Sequence, residues 1–512
     1  MKTMTFARLA IVAAIALVAA GTIPSVGAQE PKDTAPAPRA ANDLPSTVPV
    51  TTSSNAARAD YEQGLLYRED LLFTDRGVEY FRKAVKDDPK FALGHATLAF
   101  FTTDPGEEVR ERALSAKCLA SASPDEQSLI RWMNDVKEGQ LVPAIATMND
   151  LLAKYPNDKR LANMSAEWLC SGQQSFDRGE EILQRLLASD PGYYPALNNL
   201  AYCYALSGDV QKAPPLMERY VAALPAQPNP QDSYAEILRM SGDFQGSIQH
   251  YQMALQIDPT FTTSQLGIAS NYALMGDQER ARSEYQKAIA MTKDPATKLE
   301  YQMLSAMTYY RANQPDLGRK AYRKLAAQAQ IERFVVDEAE IHRGMALFNP
   351  DPKAALRDAD EAEVILMNGR DLPRSERDAE LASILQTRAF LAVRTNTTVA
   401  AEKAAERLNV MALKSRDNLI QQSYHSANGA YLLLQKKYVD AISELEDDPR
   451  DPLSLTLLAE AQEKASQFAD AQKTLATLAA INDENVETAA AVPSARTALK
   501  TGATASAQAG SQ

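Results

Sequence analysis

A period of 34 residues governs the middle of this 512-residue chain. Gly208, Gly242 and Gly276 stand at that interval, and so do Pro191, Pro225 and Pro259. Five residues after each Gly comes a small side chain, Ala213, Ser247 or Ala281, and four further on comes Met217, Tyr251 or Tyr285. Val221, Leu255 and Ile289 continue the same helical face. Ahead of the glycines run apolar stripes at helical spacing, such as Leu197, Leu200, Ala201 and Tyr204, or Ile268, Ala269 and Tyr272. Gly can close the first helix in the left-handed conformation without a Cβ clash. The Asp that follows can cap the second helix, and the Pro ends it. One such hairpin cannot bury its own apolar stripe, whereas stacked copies share one continuous core. The repeat therefore predicts an all-α stack of antiparallel helix pairs.

Small residues at the eighth and twentieth positions of the unit, with Pro at the thirty-second, resemble the tetratricopeptide repeat, most specifically over 194–295, where three units hold phase. The resemblance implies a right-handed superhelical solenoid. Weaker copies flank the core of the pattern. The interval of twelve from small residue to Pro recurs as Gly77–Pro89, Ala144–Pro156 and Gly179–Pro191. Gly318 and Ala355 follow Ala281 at intervals of 37, Asn313 stands where a left-handed Gly is expected, and further copies centre on Ala441 and Ala471. About ten to twelve helix pairs are expected over 58–480, best defined over 160–295, with the register lost in 101–140 and 356–430. Pro214 and Pro215 fit only the first turn of a helix. The stretch 357–380, of mixed charge around a Gly/Pro break, reads as a loop.

The flanks differ in composition. Residues 1–28 have Lys2 and Arg8, a short apolar core and small residues before Gln29, the layout of a cleavable secretory signal of bacterial type. Residues 29–57, rich in Pro, Ser, Thr and Ala, are expected to be a disordered linker, and 481–512 a low-complexity tail. Without the signal, 52 basic side chains face 66 acidic ones, a formal −14, which disfavours nucleic acid and anionic membrane surfaces as partners. No transmembrane segment is expected after cleavage. Cys118, Cys170 and Cys203 read as small buried hydrophobes, with a Cys170–Cys203 bridge as the alternative.

Catalytic patterns are missing. The four histidines, His95, His250, His342 and His425, are scattered without zinc-ligand spacing, and no nucleophile elbow, dinucleotide loop or phosphate loop occurs. No catalytic residue, metal or cofactor is therefore expected. Arg319, Lys320, Arg323 and Lys324 form one helical flank that reads as a solvated outer face. Function is left to shape. In tetratricopeptide proteins the first helices line a concave groove that takes a partner segment, and carrying those positions over gives Asn198, Tyr202, Asp232, Glu236, Arg239, Leu266 and Ser270. Asn198 and Arg239 suit a carboxylate clamp, but Asp232 and Glu236 crowd them with the wrong sign, so a basic or neutral peptide is the expected guest. The expected function is a non-enzymatic interaction scaffold of the cell envelope, periplasmic or extracellular, with a protein or peptide partner. A glycan- or peptidoglycan-binding solenoid and a helical-repeat enzyme with an unrecognised site are the rival readings.

Overall fold

A computed structural model describes residues 47–70, 74–370, 372–447 and 450–509. The signal over 1–28 and the linker as far as residue 46 lie outside the described residues. Among those described there is no strand. The first four helix pairs are α1 (Asn55–Leu65) with α2 (Thr74–Asp87), α3 (Ala92–Phe101) with α4 (Pro105–Cys118), α5 (Pro124–Lys137) with α6 (Leu141–Lys154), and α7 (Lys159–Glu167) with α8 (Phe176–Ser189). Next come α9 (Tyr194–Ser207) with α10 (Pro214–Ala223), α11 (Pro228–Ser241) with α12 (Phe244–Ile257), α13 (Thr262–Met275) with α14 (Gln278–Met291), and α15 (Pro295–Arg311) with α16 (Pro315–Glu332). The last four are α17 (Val335–Phe348) with α18 (Pro352–Asn368), α19 (Arg374–Thr395) with α20 (Thr398–Lys414), α21 (Asn418–Leu434) with α22 (Tyr438–Glu446), and α23 (Pro452–Lys464) with α24 (Phe468–Ala479). A single helix, α25 (Val486–Ala509), is the last element among the described residues.

The repeat skeleton does the work its spacing predicts. Gly208, Gly242 and Gly276 end α9, α11 and α13 at φ of 97°, 89° and 94°, and Asn313 takes the equivalent place after α15 at 57°. The side chains of Asp243 and Asp277 accept from the backbone N–H groups of Gly246 and Arg280, capping α12 and α14. Asp209 makes no such cap, because a 3₁₀ turn over Val210–Lys212 intervenes and α10 restarts with Pro214 at its first position. Ala201, Ala235 and Ala269 on the first helices and Ala213, Ser247 and Ala281 on the second have no exposed surface, so the backbones meet closely there.

Where the pattern fades, the structure gives the reason. α4 buries Glu107, Glu108 and Glu111 instead of apolar side chains, and they pair with Arg82, Lys137 and His95 on three neighbouring helices. An ion-paired face carries no hydrophobic period. Further on, α18 to α21 are 17 to 22 residues long, which stretches the unit past 34. The segment 357–380, expected as a loop, is mostly helix in α18 and α19. Its charges are spent between helices, with Arg388 bound to Asp360 at 2.7 Å and to Glu363.

Three other expectations are corrected. Cys170 and Cys203 form a disulfide with their Cα atoms 5.3 Å apart, joining the wide turn Trp168–Gly172 at the end of α7 to α9, while Cys118 is half-buried and unbridged. One repeat of separation puts the two cysteines at matching places on adjacent first helices, and Gly179 leaves room beside Cys170, since a Cβ there would lie 2.3 Å from its sulfur. Residues 47–54, expected within the disordered linker, run extended across the first units. The Val48 N–H donates to Asp158 at 3.0 Å, Thr51 to Glu126, and Thr52 and Ser53 to Asp88 at 2.7 and 3.0 Å. The tail, finally, becomes α25, with Val486, Glu487, Thr488, Ala489, Ala491, Val492 and Ala495 buried.

First helices of neighbouring pairs pack against one another, α9 on α11 and α11 on α13, which curves the stack with those helices on the inside. The curve closes on itself after seven pairs. The Ser375 hydroxyl at the start of α19 donates to Lys137 O at the end of α5, at 2.6 Å. Asn418 of α21 donates to Gln173 O beyond α7, Arg450 before α23 donates to Leu206 O and Ser207 O of α9, and Asn482 before α25 donates to Met240 O of α11. Each contact meets a carbonyl at a helix C-terminus, where no intrahelical donor is left. Successive superhelical turns therefore rest on each other through at least one side-chain donor from each of these four units.

Candidate concave binding surface

Of the seven residues proposed from the sequence on α9, α11 and α13, Tyr202, Asp232, Glu236 and Arg239 are tied up in polar contacts instead of standing in an open row. The Tyr202 hydroxyl donates to Glu236 at 2.8 Å, and Glu236 pairs with Arg239 one turn along α11 at 3.1 Å. Ser264 of α13 donates to Asp232 at 2.6 Å. Desolvation lifts the Asp232 carboxyl to about 7 against the pull of that hydrogen bond, and the Glu236 charge nearby adds to the rise. Burial, then Glu236, holds the Tyr202 phenol well above its ordinary range, so it remains a donor.

Three positions differ from expectation. Asn198 and Ser270 are buried, at 4% and 7% exposure, and Leu266, at 2%, belongs to the core with Ala235, Tyr251 and Tyr285. Every residue of α13 from Thr262 to Leu274 is buried. The Ser270 hydroxyl meets that of Tyr285 at 3.3 Å.

The chain's own segment 482–495 lies against the concave side from Arg239 of α11 onward to α15 and α17. A guanidinium N–H of Arg239 donates to the carbonyl of Asn482, with Asp483 and Glu484 close enough to act on its charge. Glu484 lies beside Tyr285, whose phenol is held well above its ordinary range by burial and then by that carboxylate. Asn485 caps α25 by accepting from Thr488 N at 2.7 Å. Val486 and Ala489 enter an apolar patch of Met307, Leu347 and Leu453, contributed by α15, α17 and α23. Glu487 binds Arg343 of α17, which also holds Glu380 of α19 at 2.8 Å; all three are buried.

The expected basic or neutral guest is thus replaced, within this chain, by an acidic one. Glu236 is spent on Arg239 and Asp232 is readily protonated, so the sign read from α11 alone misleads. Arg343 and Glu380 are not legible in the sequence because they fall in lengthened units, and Tyr285 shows there only as a packing residue of a second helix. The Asn485 cap ahead of Val486 and Ala489 was the available signal for the segment.

Other candidate groups have structural partners. His95 sits between Glu111, at 2.7 Å, and Pro89 O, at 3.1 Å, while His250 contacts Gln231 and His425 contacts Glu444. Lys320, Arg323 and Lys324 are exposed on α16, an outer helix. Among the described residues no cluster of His, Cys, Asp and Glu is arranged to hold a metal ion. No helix among them is long and apolar enough to cross a membrane.

Fold and surface together define a helical-repeat scaffold of the kind that mediates protein interactions. A family model described as tetratricopeptide repeat matches residues 171–228, which span α8, α9 and α10. The TPR repeat-containing protein YpiA of Bacillus subtilis (strain 168) is 23% identical over 184 residues, 35% of this chain and 42% of that protein, so the match spans less than half of its length. Among solved structures, the Cut9–Hcn1 assembly of the APC/C is similar over 81% of this chain and 78% of its own, with 15% identity and a TM-score of 0.40. A tetratricopeptide repeat protein from Parabacteroides merdae is similar over 52% and 93%, with 13% identity and a TM-score of 0.34.

Proposed function

We propose that this protein is an exported, non-enzymatic scaffold of the cell envelope that holds a segment of a partner protein against its concave surface. The observation that carries the reading is that this surface already accommodates a peptide-like segment, taking its backbone carbonyl on Arg239 and its carboxylate on Arg343. Main-chain recognition combined with side-chain pockets is how repeat grooves and sheet edges take extended guests. Export is supported by the layout of residues 1–28 and by the Cys170–Cys203 bridge, since disulfides persist in oxidising compartments. The test is photo-crosslinking in the native host from position 202, half-buried at the concave surface. Capture of one or two envelope proteins, lost on Glu236→Lys, is the expected result. A folded, abundant protein that crosslinks to nothing sinks the reading.

A further inference from the structure

We propose that the concave surface is a receptor for an acidic, helix-initiating segment, and that residues 482–495 are its displaceable intramolecular occupant. The inference rests on the scaffold reading above and names the chemistry of the partner.

The contacts made by 482–487 are those of a ligand. Asn482 offers a backbone carbonyl to Arg239 on α11, and Glu487 offers a carboxylate to Arg343 on α17, so the cations come from units three pairs apart in the stack. Asp483, Glu484 and Glu487 cluster where α25 begins, the place in a helix where negative charge is favoured. A guest that presents acids in its entering turn and a small apolar face behind them reproduces every one of these contacts. A basic guest would set its charge against Arg239 and Arg343.

The occupant's apolar hold is slight. Its buried apolar side chains are Val486, Val492 and three alanines, whereas α23 beside it buries Leu453, Leu455, Leu457 and Leu458. Pro493 lies inside α25 and removes a helical donor. Departure of the segment leaves neither arginine stranded, because Arg239 keeps Glu236 at 3.1 Å and Arg343 keeps Glu380 at 2.8 Å. Since an orphaned buried charge is what would penalise vacancy, the receptor survives it. Beside Val486 there is also unfilled space, a cavity of about 60 Å³ lined by Met303, Met307, Tyr322 and Leu419 and also by the carboxylates Glu300, Asp337 and Glu340. A partner with a larger apolar residue in place of Val486 fills that space and outcompetes the internal segment.

The test uses a fluorescent peptide of residues 481–500 and the full chain, read by anisotropy. The double variant Glu484→Lys, Glu487→Lys, which loosens the internal occupant, is expected to bind the peptide at least tenfold more tightly than wild type. Adding Arg239→Glu and Arg343→Glu is expected to abolish that binding, and a Val486→Leu peptide to bind several-fold better. Equal binding by wild type and double variant, binding indifferent to the arginines, or no binding at all overturns the proposal. Hydrogen exchange on the unmodified chain gives a second reading that no folding defect can spoil. Amides of 486–495 are expected to exchange at least tenfold faster than those of α23, and equal protection overturns displaceability. A partner captured in the host while the peptide fails sinks this inference alone. Peptide binding without any captured partner sinks the scaffold reading instead.

Discussion

Asp232 shows how much a single position depends on its surroundings. From the sequence it is an acid on a helix surface; in the fold its carboxyl rises from 3.8 to about 7, chiefly through desolvation. A raised carboxyl stays protonated in the folded chain while the unfolded chain ionises, so its contribution to stability falls as pH climbs from about 4 to about 7. Replacing Asp232 with Asn removes that slope. Relative to wild type, the variant should gain stability steadily across this window and level off above it, which urea titrations at several pH values check. A difference that does not vary with pH would place Asp232 in water. The neighbouring pair Ala269 and Ser270 probes packing. Ala269→Glu puts an unpaired charge where there is no exposed surface and is expected to cost about 3–5 kcal/mol. Helical phasing alone turns Ser270 toward an open groove, yet Ser270 is buried against Tyr285, so Ser270→Glu is expected to shift the thermal midpoint by at least half as much. An unchanged midpoint for Ser270→Glu would reopen the groove at α13.

At the scale of elements, the helix pairs were readable wherever Gly, small residue, aromatic and Pro kept step, because each fixes a local backbone or contact. They were not readable in α4, whose buried face is built of Glu107, Glu108 and Glu111, since ion pairs follow partners and no period. The tail misled for a related reason: an Ala-rich helix with few large apolar residues looks like low complexity until a concave surface is there to receive it. The disulfide couples two elements, the turn after α7 and helix α9. Bridging across 33 residues restricts the unfolded chain, and its loss by Cys170→Ser with Cys203→Ser is expected to lower stability by about 3–4 kcal/mol. Denaturant midpoints with and without a thiol reductant check this, and a midpoint indifferent to reductant would mean that the thiols stay apart.

Across the whole molecule, the stacking of one superhelical turn on the next sets the shape. Arg450 is the strongest rung, since its guanidinium meets two carbonyls of α9 while lying 4.6 Å from the centre of the Phe176 ring. Arg450→Ala is expected to leave helix content unchanged by circular dichroism and to enlarge the radius of gyration in small-angle scattering. Coupling in a solenoid runs through neighbours, so the helices survive the loss of a contact that spans seven pairs. An unchanged radius would show that packing along the stack alone sets the pitch.

The unit is written locally along the chain: where helices end, which small residues let them meet, and that many copies share one core. Those are local matters, decided by backbone strain at Gly208 or Gly276 and by volume at Ala201 or Ala269. Which faces are free follows instead from how the pairs stack. The curvature of the stack brings residues about 240 positions apart into hydrogen-bonding range, closes one turn on another and leads an acidic segment onto Arg239 and Arg343. No period encodes such contacts, because they arise from small rotations summed over seven pairs.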